Sequence, residues 1–249
     1  SPSPASAARE KPRWLWKLGV GWCALALFKQ IQEPAQEAVV WHQLGMVYDE
    51  TRQWNAAEYC YREAARIKEA LGNLSSAAQT WNNLALLNEK VGNVEAAELW
   101  YRQAIEGGKD DPLTRSGTLH NLADLLQHQP NRLAEARSLA EEVLSIKQTL
   151  DPGAAEIWTT YGLLAQIADR EAAASADAAV QTERRQAAWE YRRLALDARR
   201  AFPGSRAMLK QFAPLIHATV AACADHEEAR SALAQHQAAM RQVRPDGRR

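Results

Sequence analysis

Trp41-His42-Gln43-Leu44-Gly45 returns as Trp81-Asn82-Asn83-Leu84-Ala85, then as Leu119-His120-Asn121-Leu122-Ala123, then as Trp158-Thr159-Thr160-Tyr161-Gly162. The opening residues of these four words stand 40, 38 and 39 residues apart. A fixed period of this length is the signature of stacked structural repeats, and it outranks any local signal. Within the first copy, Val40, Trp41, Leu44, Val47 and Tyr48 share one face of a helix. Thr51 to Asn55 interrupts that helix, with Asn55 placed to cap the next one. Ala57, Tyr61, Ala64, Ala65 and Lys68 form a second stripe, which Gly72 ends. A helix pair of this size cannot bury both stripes alone, so neighbouring pairs must bury them for each other.

Small residues set how closely the helices approach. Gly45, Ala85, Ala123 and Gly162 share one slot of the first helix, and Ala57, Ala97 and Ala136 share one of the second. Overpacking such a slot costs about 1–3 kcal/mol. Trp41, Trp81 and Trp158 fill gaps in the first helices, and Tyr61, Tyr101 and Tyr191 in the second. These rings read as core, because burying aromatic surface dominates packing energy.

Trp41, Leu44, Gly45, Tyr48, Ala57, Tyr61 and Ala64, echoed by Trp81, Leu84, Ala85, Ala97, Tyr101 and Ala104, resemble the tetratricopeptide repeat signature. The period exceeds the family's roughly 34 residues. That length and the Asn-Leu-Ala wording of the second and third copies are similar to the kinesin-light-chain subgroup. The resemblance covers residues 38–196 and implies an all-α, right-handed α-solenoid of stacked antiparallel helix hairpins. Composition agrees: apolar residues make up 47% of the 249, and Gly (12) and Pro (10) are sparse, which favours helix.

The expected organisation is a tail or linker over 1–12, an apolar helix over 13–34 that packs on the array, and four repeats over 35–200. The repeats divide as 35–74, 75–112, 113–151 and 152–200, the last with an insert near 170–184 read as longer, protruding helices. Pro34 separates the apolar helix from the array. A capping helix pair over 201–243, capped by Ser205 and kinked at Pro214, and a basic tail over 244–249 complete the chain. Repeat three departs from the pattern: Leu119 replaces Trp, Ala140 replaces the second-helix aromatic, and a residue is added at Pro130-Asn131. The chain starts at Ser1 without Met, so a preceding domain is an open expectation. Lys17 and Lys29 bound only eleven residues of the N-terminal apolar run, fewer than the about 20 a membrane span needs. An interfacial helix is the minor alternative there.

Lys+Arg and Asp+Glu both number 30, which leaves no electrostatic footprint for nucleic acid. Cys23, Cys60 and Cys223 show no Cys-x-x-Cys spacing and fit a reducing compartment, so a cytoplasmic location is expected. Gly107-Gly108-Lys109 lacks the phosphate-loop pattern and reads as a plain turn. His120, Asp124 and His128 fall one helical turn apart, but no fourth ligand accompanies them, so a zinc site is not expected. His217, His226 and His236 suggest no role. No catalytic grouping emerges, and neither enzymatic activity nor a cofactor is expected.

In the family that the chain resembles, first helices line the concave face. The resemblance places His42, Met46, Asp49 and Glu50 there from the first copy, and Asn82, Leu86, Glu89 and Lys90 from the second. Copy three adds His120, Asp124, Gln127 and His128, and copy four adds Thr159, Leu163, Gln166 and Ile167. An amide both donates and accepts, so Asn82, Asn83 and Asn121 suit the backbone of an extended peptide. The resemblance implies that role for Asn83 and Asn121; the alternative is that they bridge adjacent helices. Lys90 is the one cation of the set, facing Asp49, Glu50, Glu89 and Asp124. A carboxylate clamp is therefore not expected, and the ligand should be neutral or basic. The expected function is a non-catalytic scaffold that binds a peptide segment of a partner protein, with apolar pockets at Met46, Leu86 and Leu163. The alternatives are a regulatory arm of a larger enzyme, and a membrane-peripheral adaptor using Trp14 to Phe28.

Overall fold

The computed structural model describes residues 13–150 and 156–200. The tail over 1–12, the capping pair with Ser205 and Pro214, the basic tail, Cys223 and the three C-terminal histidines lie outside the described residues. All regular structure described is helical. The helices are α1 (Arg13–Gln30), α2 (Pro34–Glu50), α3 (Trp54–Ala70), α4 (Leu74–Lys90), α5 (Val94–Gly107), α6 (Pro112–Gln127), α7 (Leu133–Gln148), α8 (Ile157–Ala174) and α9 (Ala178–Arg200). A single 3₁₀ turn, Pro130–Arg132, takes up the residue added in repeat three.

The chain divides into two compact units, residues 1–118 and 119–249. In the first, α1 packs on α2, α2 on α3, α3 on α4 and α4 on α5. Three-residue turns join them, and the middle residue of each is left-handed: Gln32 (φ 57°), Arg52 (φ 59°), Gly72 (φ 71°) and Gly92 (φ 81°). These turns reverse the chain because a left-handed residue ends a helix and returns its last carbonyls to backbone N–H groups. Asn73 then caps α4 by accepting from Ser76 N at 3.1 Å. Asn55, expected as a cap, lies inside α3. Gln53 occupies the cap position without a side-chain bond, because Trp54 already begins the helix. Pro34 is the first residue of α2 rather than a spacer; the N1 position needs no N–H and suits its fixed φ. The Gly107 turn is closed by Asp111, which accepts from Leu113 N, Thr114 N and the Thr114 hydroxyl.

Two clusters carry the core of this unit. Val40, Trp41 and Leu44 meet Leu25 on one side and Cys60, Ala64 and Ile67 on the other. Tyr61, Ala57 and Ala65 meet Ala77, Ala78, Trp81, Leu84 and Leu87. Trp41, Trp81 and Trp158 are 3%, 4% and 3% exposed, so the recurring word buries its leading ring in each copy that has one.

In the second unit α8 packs on both α7 and α9. The helix Ala178–Arg200 has 23 residues against 17 in α3. Glu171 of α8 holds it in place, facing Arg137 of α7 and Arg184 of α9 at 3.4 Å each. The nearly buried Arg192 of α9 pairs with Asp169 of α8.

Candidate functional site: the first-helix faces

The first helices of the first two repeats touch directly. In the first unit, Asn83 of α4 meets His42 of α2 at 3.4 Å, and Lys90 of α4 donates to both carboxylate oxygens of Asp49 of α2, at 2.9 and 2.7 Å. Both pairs are 41 residues apart, one repeat plus one residue. This places α2 and α4 side by side with His42, Met46, Asp49, Asn83 and Lys90 along one face. Met46 and Glu50 are exposed, and Asn82, Asn83, Leu86 and Glu89 are half-buried. Glu89 accepts from the hydroxyl of buried Tyr101 at 2.9 Å.

Beneath this face runs a polar network that composition alone did not reveal. Lys68, 6% exposed, donates to Thr80 Oγ1 at 2.8 Å and to the Ser76 carbonyl at 3.1 Å. His42 Nδ1 stands 3.1 Å from the same Thr80 oxygen. One arrangement satisfies every partner: His42 Nδ1–H donates to Thr80, Asn83 donates to His42 Nε2, and the Thr80 hydroxyl turns to the Ser76 carbonyl. The imidazole is neutral. Burial, and then the nearby Lys68 charge, lower its pKa to about 4. Burial also lowers Lys68 to about 8. Asn83 thus bridges α2 and α4.

The second unit repeats the motif two periods on. Lys147, 8% exposed, donates to Thr159 Oγ1 at 3.1 Å, and Thr159 donates to the Glu156 carbonyl. His120 is lowered to about 4 by burial and Lys147, against the opposing pull of Asp124; its Nδ1 is buried without a hydrogen-bond partner. The signal was present in the sequence: His42 and His120 are 78 residues apart, Lys68 and Lys147 are 79, and each lysine precedes its threonine by 12.

Three expected groove residues are placed elsewhere. Leu163 is 3% exposed and Ile167 is fully buried, on a helix that packs on both α7 and α9. Leu163 therefore forms no accessible pocket. Gln127 is also buried, donating to Asp124 Oδ1 at 2.5 Å and to Gln166 Oε1 at 3.2 Å. Asn121 and Thr159 are half-buried. His128 accepts from Arg170 at 3.2 Å, and a guanidinium there opposes a metal cation. Among the described residues no three His, Cys, Asp or Glu side chains gather as a metal site. Nor is any helix among them long and apolar enough to cross a membrane.

Residues 36–110 and 116–152 match two sequence profiles, each described as tetratricopeptide repeat. No curated protein matches the sequence. Among solved structures, BtubC (BKLC) from P. vanneervenii is 17% identical, with 96% of each chain covered and a TM-score of 0.72. A Podosopora anserina protein described as kinesin light chain, with nearly identical TPR-like repeats, is 18% identical. There 86% of this chain and 99% of that chain are covered, with a TM-score of 0.60. At these identities the likeness is one of fold.

Proposed function

We propose that this chain, whose residues 36–110 and 116–152 match tetratricopeptide repeat profiles, is a non-catalytic scaffold whose first-helix faces hold a segment of a partner protein. The cross-repeat pairing of His42 with Asn83 and of Asp49 with Lys90 supports this most. It aligns amides, an apolar Met46 and half-buried Leu86 along one face, as an extended peptide requires: backbone partners at intervals, with apolar contact between them. Lys90, the cation of that face, is already held by Asp49, and His42 is neutral. Glu50 faces Lys17 of α1 at 3.8 Å and Glu89 accepts from Tyr101. That leaves no free cation for a carboxylate among the described residues of this face, so the segment is neutral or basic.

The test is a panel of linear peptides selected against the full chain. Selected peptides should lose at least tenfold in affinity with Asn83→Ala plus Asn121→Ala, in a variant shown by circular dichroism to remain folded. Unchanged affinity would remove the first-helix faces from the binding site.

A further inference from the structure

Helix α1 repeats, forty residues early, the register of α3 and α5. Gly21, Ala24, Leu25 and Phe28 precede Tyr61, Ala64, Ala65 and Lys68 by 40 positions each. The turn after α1 has the same bonds as the turn after α3. Ile31 N→Leu27 O (3.0 Å), Gln32 N→Lys29 O (3.3 Å) and Glu33 N→Phe28 O (3.0 Å) return as Leu71 N→Ile67 O (3.0 Å), Gly72 N→Glu69 O (2.9 Å) and Asn73 N→Lys68 O (3.0 Å). Leu25 packs on Val40, Trp41 and Leu44 of α2, as Ala65 packs in the cluster of Trp81 and Leu84 of α4. In sequence register and in packing, α1 is the second helix of a repeat.

One position breaks the equivalence. Tyr61 and Tyr101 are 1% and 0% exposed, and the Tyr61 ring fills the interface of α3 with α4 beside Leu84 and Leu87. At the matching place α1 has Gly21. Leu44 has closed in on it, so that a Cβ at Gly21 would stand 2.6 Å from Leu44 Cδ2. Space remains nonetheless: a cleft of about 350 Å³, open to solvent on one side, lies between α1 and α2. Its lining includes Gly21, Ala24, Leu44, Met46 and Val47; Leu44 and Val47 are the counterparts of Leu84 and Leu87, which pack with Tyr61. Lys17 and Glu50, also in the lining, face each other at 3.8 Å, so the site carries no net charge.

We propose that this cavity is an anchor site for an uncharged aromatic side chain, of the tyrosine or phenylalanine class, presented by a bound polypeptide. The guest ring sits beside Leu44, in the helix–helix interface that Tyr61 fills from within the chain one repeat on. Size permits it, since an apolar protein cavity of about 150 Å³ accepts benzene. Met46 belongs both to the cavity and to the first-helix face, so a segment lying on that face reaches the cavity without leaving it. The natural ligand rests on the polypeptide-binding reading; the cavity itself does not.

The experiment uses p-cresol, the tyrosine side chain as a free molecule, followed by saturation-transfer NMR on the full chain. Saturable binding is expected, weakened at least tenfold both by Met46→Trp, which blocks the rim, and by Gly21→Phe, which restores an internal ring. Leu99→Ala, an exposed residue of α5, should leave it unchanged. Met46→Trp keeps the test decisive if Gly21→Phe fails to fold against Leu44. Absence of saturable binding by the unmodified chain, or equal binding by the folded blocked variants, overturns the proposal. p-Cresol binding with peptides insensitive to Asn83→Ala plus Asn121→Ala would keep the cavity and drop the groove; the reverse pattern would drop the cavity alone.

Discussion

Gly45 of α2 lies so close to Tyr61 of α3 that a Cβ built on it would stand 2.6 Å from both Cδ1 and Cε1 of the ring. The ring is 1% exposed and has nowhere to move. Gly162 occupies the same slot of the fourth copy, yet among the described residues nothing lies within 4 Å of its added Cβ. The two glycines should therefore respond oppositely. Gly45→Val should cost about 1–3 kcal/mol through overpacking. Gly162→Ala should gain about 0.5–1 kcal/mol, because alanine loses less backbone entropy in a helix. Urea unfolding of the two variants checks both signs.

Arg52 carries the left-handed turn between α2 and α3 at φ 59°, where the next two turns of the first unit use Gly72 and Gly92. A side chain in that region costs roughly 1–2 kcal/mol. Glycine removes the strain but adds freedom to the unfolded chain, which offsets part of the gain. Arg52→Gly should thus stabilise by about 0.5–1 kcal/mol, and Gly72→Ala should destabilise. Thermal unfolding of the pair distinguishes this from a loss of arginine contacts, which would lower stability in the first variant too.

The period, the small slots and the buried tryptophans were legible because each copy restates them forty residues on. Asn55 misled because capping propensity was weighed without the turn: a three-residue reversal centred on Arg52 starts the helix at Trp54, one residue before the asparagine. Leu163 and Gln127 misled for a longer-range reason. Position five after the leading residue is exposed at Met46 but buried at Leu163, and Gln127 is drawn inward by Gln166, one repeat on; neither difference is written in the local pattern. The role of α1 was hidden by its tryptophans, which read as an interfacial or capping helix. The 40-residue alignment of Gly21 with Tyr61 needed the turn geometry to become visible.

The cysteines differ in environment. Cys23 is exposed on α1, and Cys60 is buried between α2 and α3, where burial pushes its thiol up to about 12. Reactivity follows the thiolate and its access. With Cys223 replaced by Ser, one thiol should react with Ellman's reagent rapidly at pH 8, and the second only on denaturation. Two rapid equivalents in the folded chain would show that the α2–α3 interface opens.

His42 and His120 set an acid limit. Both are neutral in the folded chain, with pKa values lowered from 6.5 to about 4. His42 faces Lys68 on α3 and Thr80 and Asn83 on α4, and His120 faces Lys147 on α7 and Asp124 on its own helix. Between pH 6.5 and 4 the unfolded chain binds more protons at these sites than the folded one, so stability falls as pH falls. Above pH 6.5 their contribution is constant. Each site adds a slope of up to about 1.4 kcal/mol per pH unit in that window. His42→Gln with His120→Gln should therefore flatten the stability profile between pH 6.5 and 5, before most carboxylates titrate. Proton NMR of the imidazole Cε1–H resonances should place both midpoints near 4. Midpoints near 6.5 would mean that water reaches these rings and that Lys68 and Lys147 are not held against them.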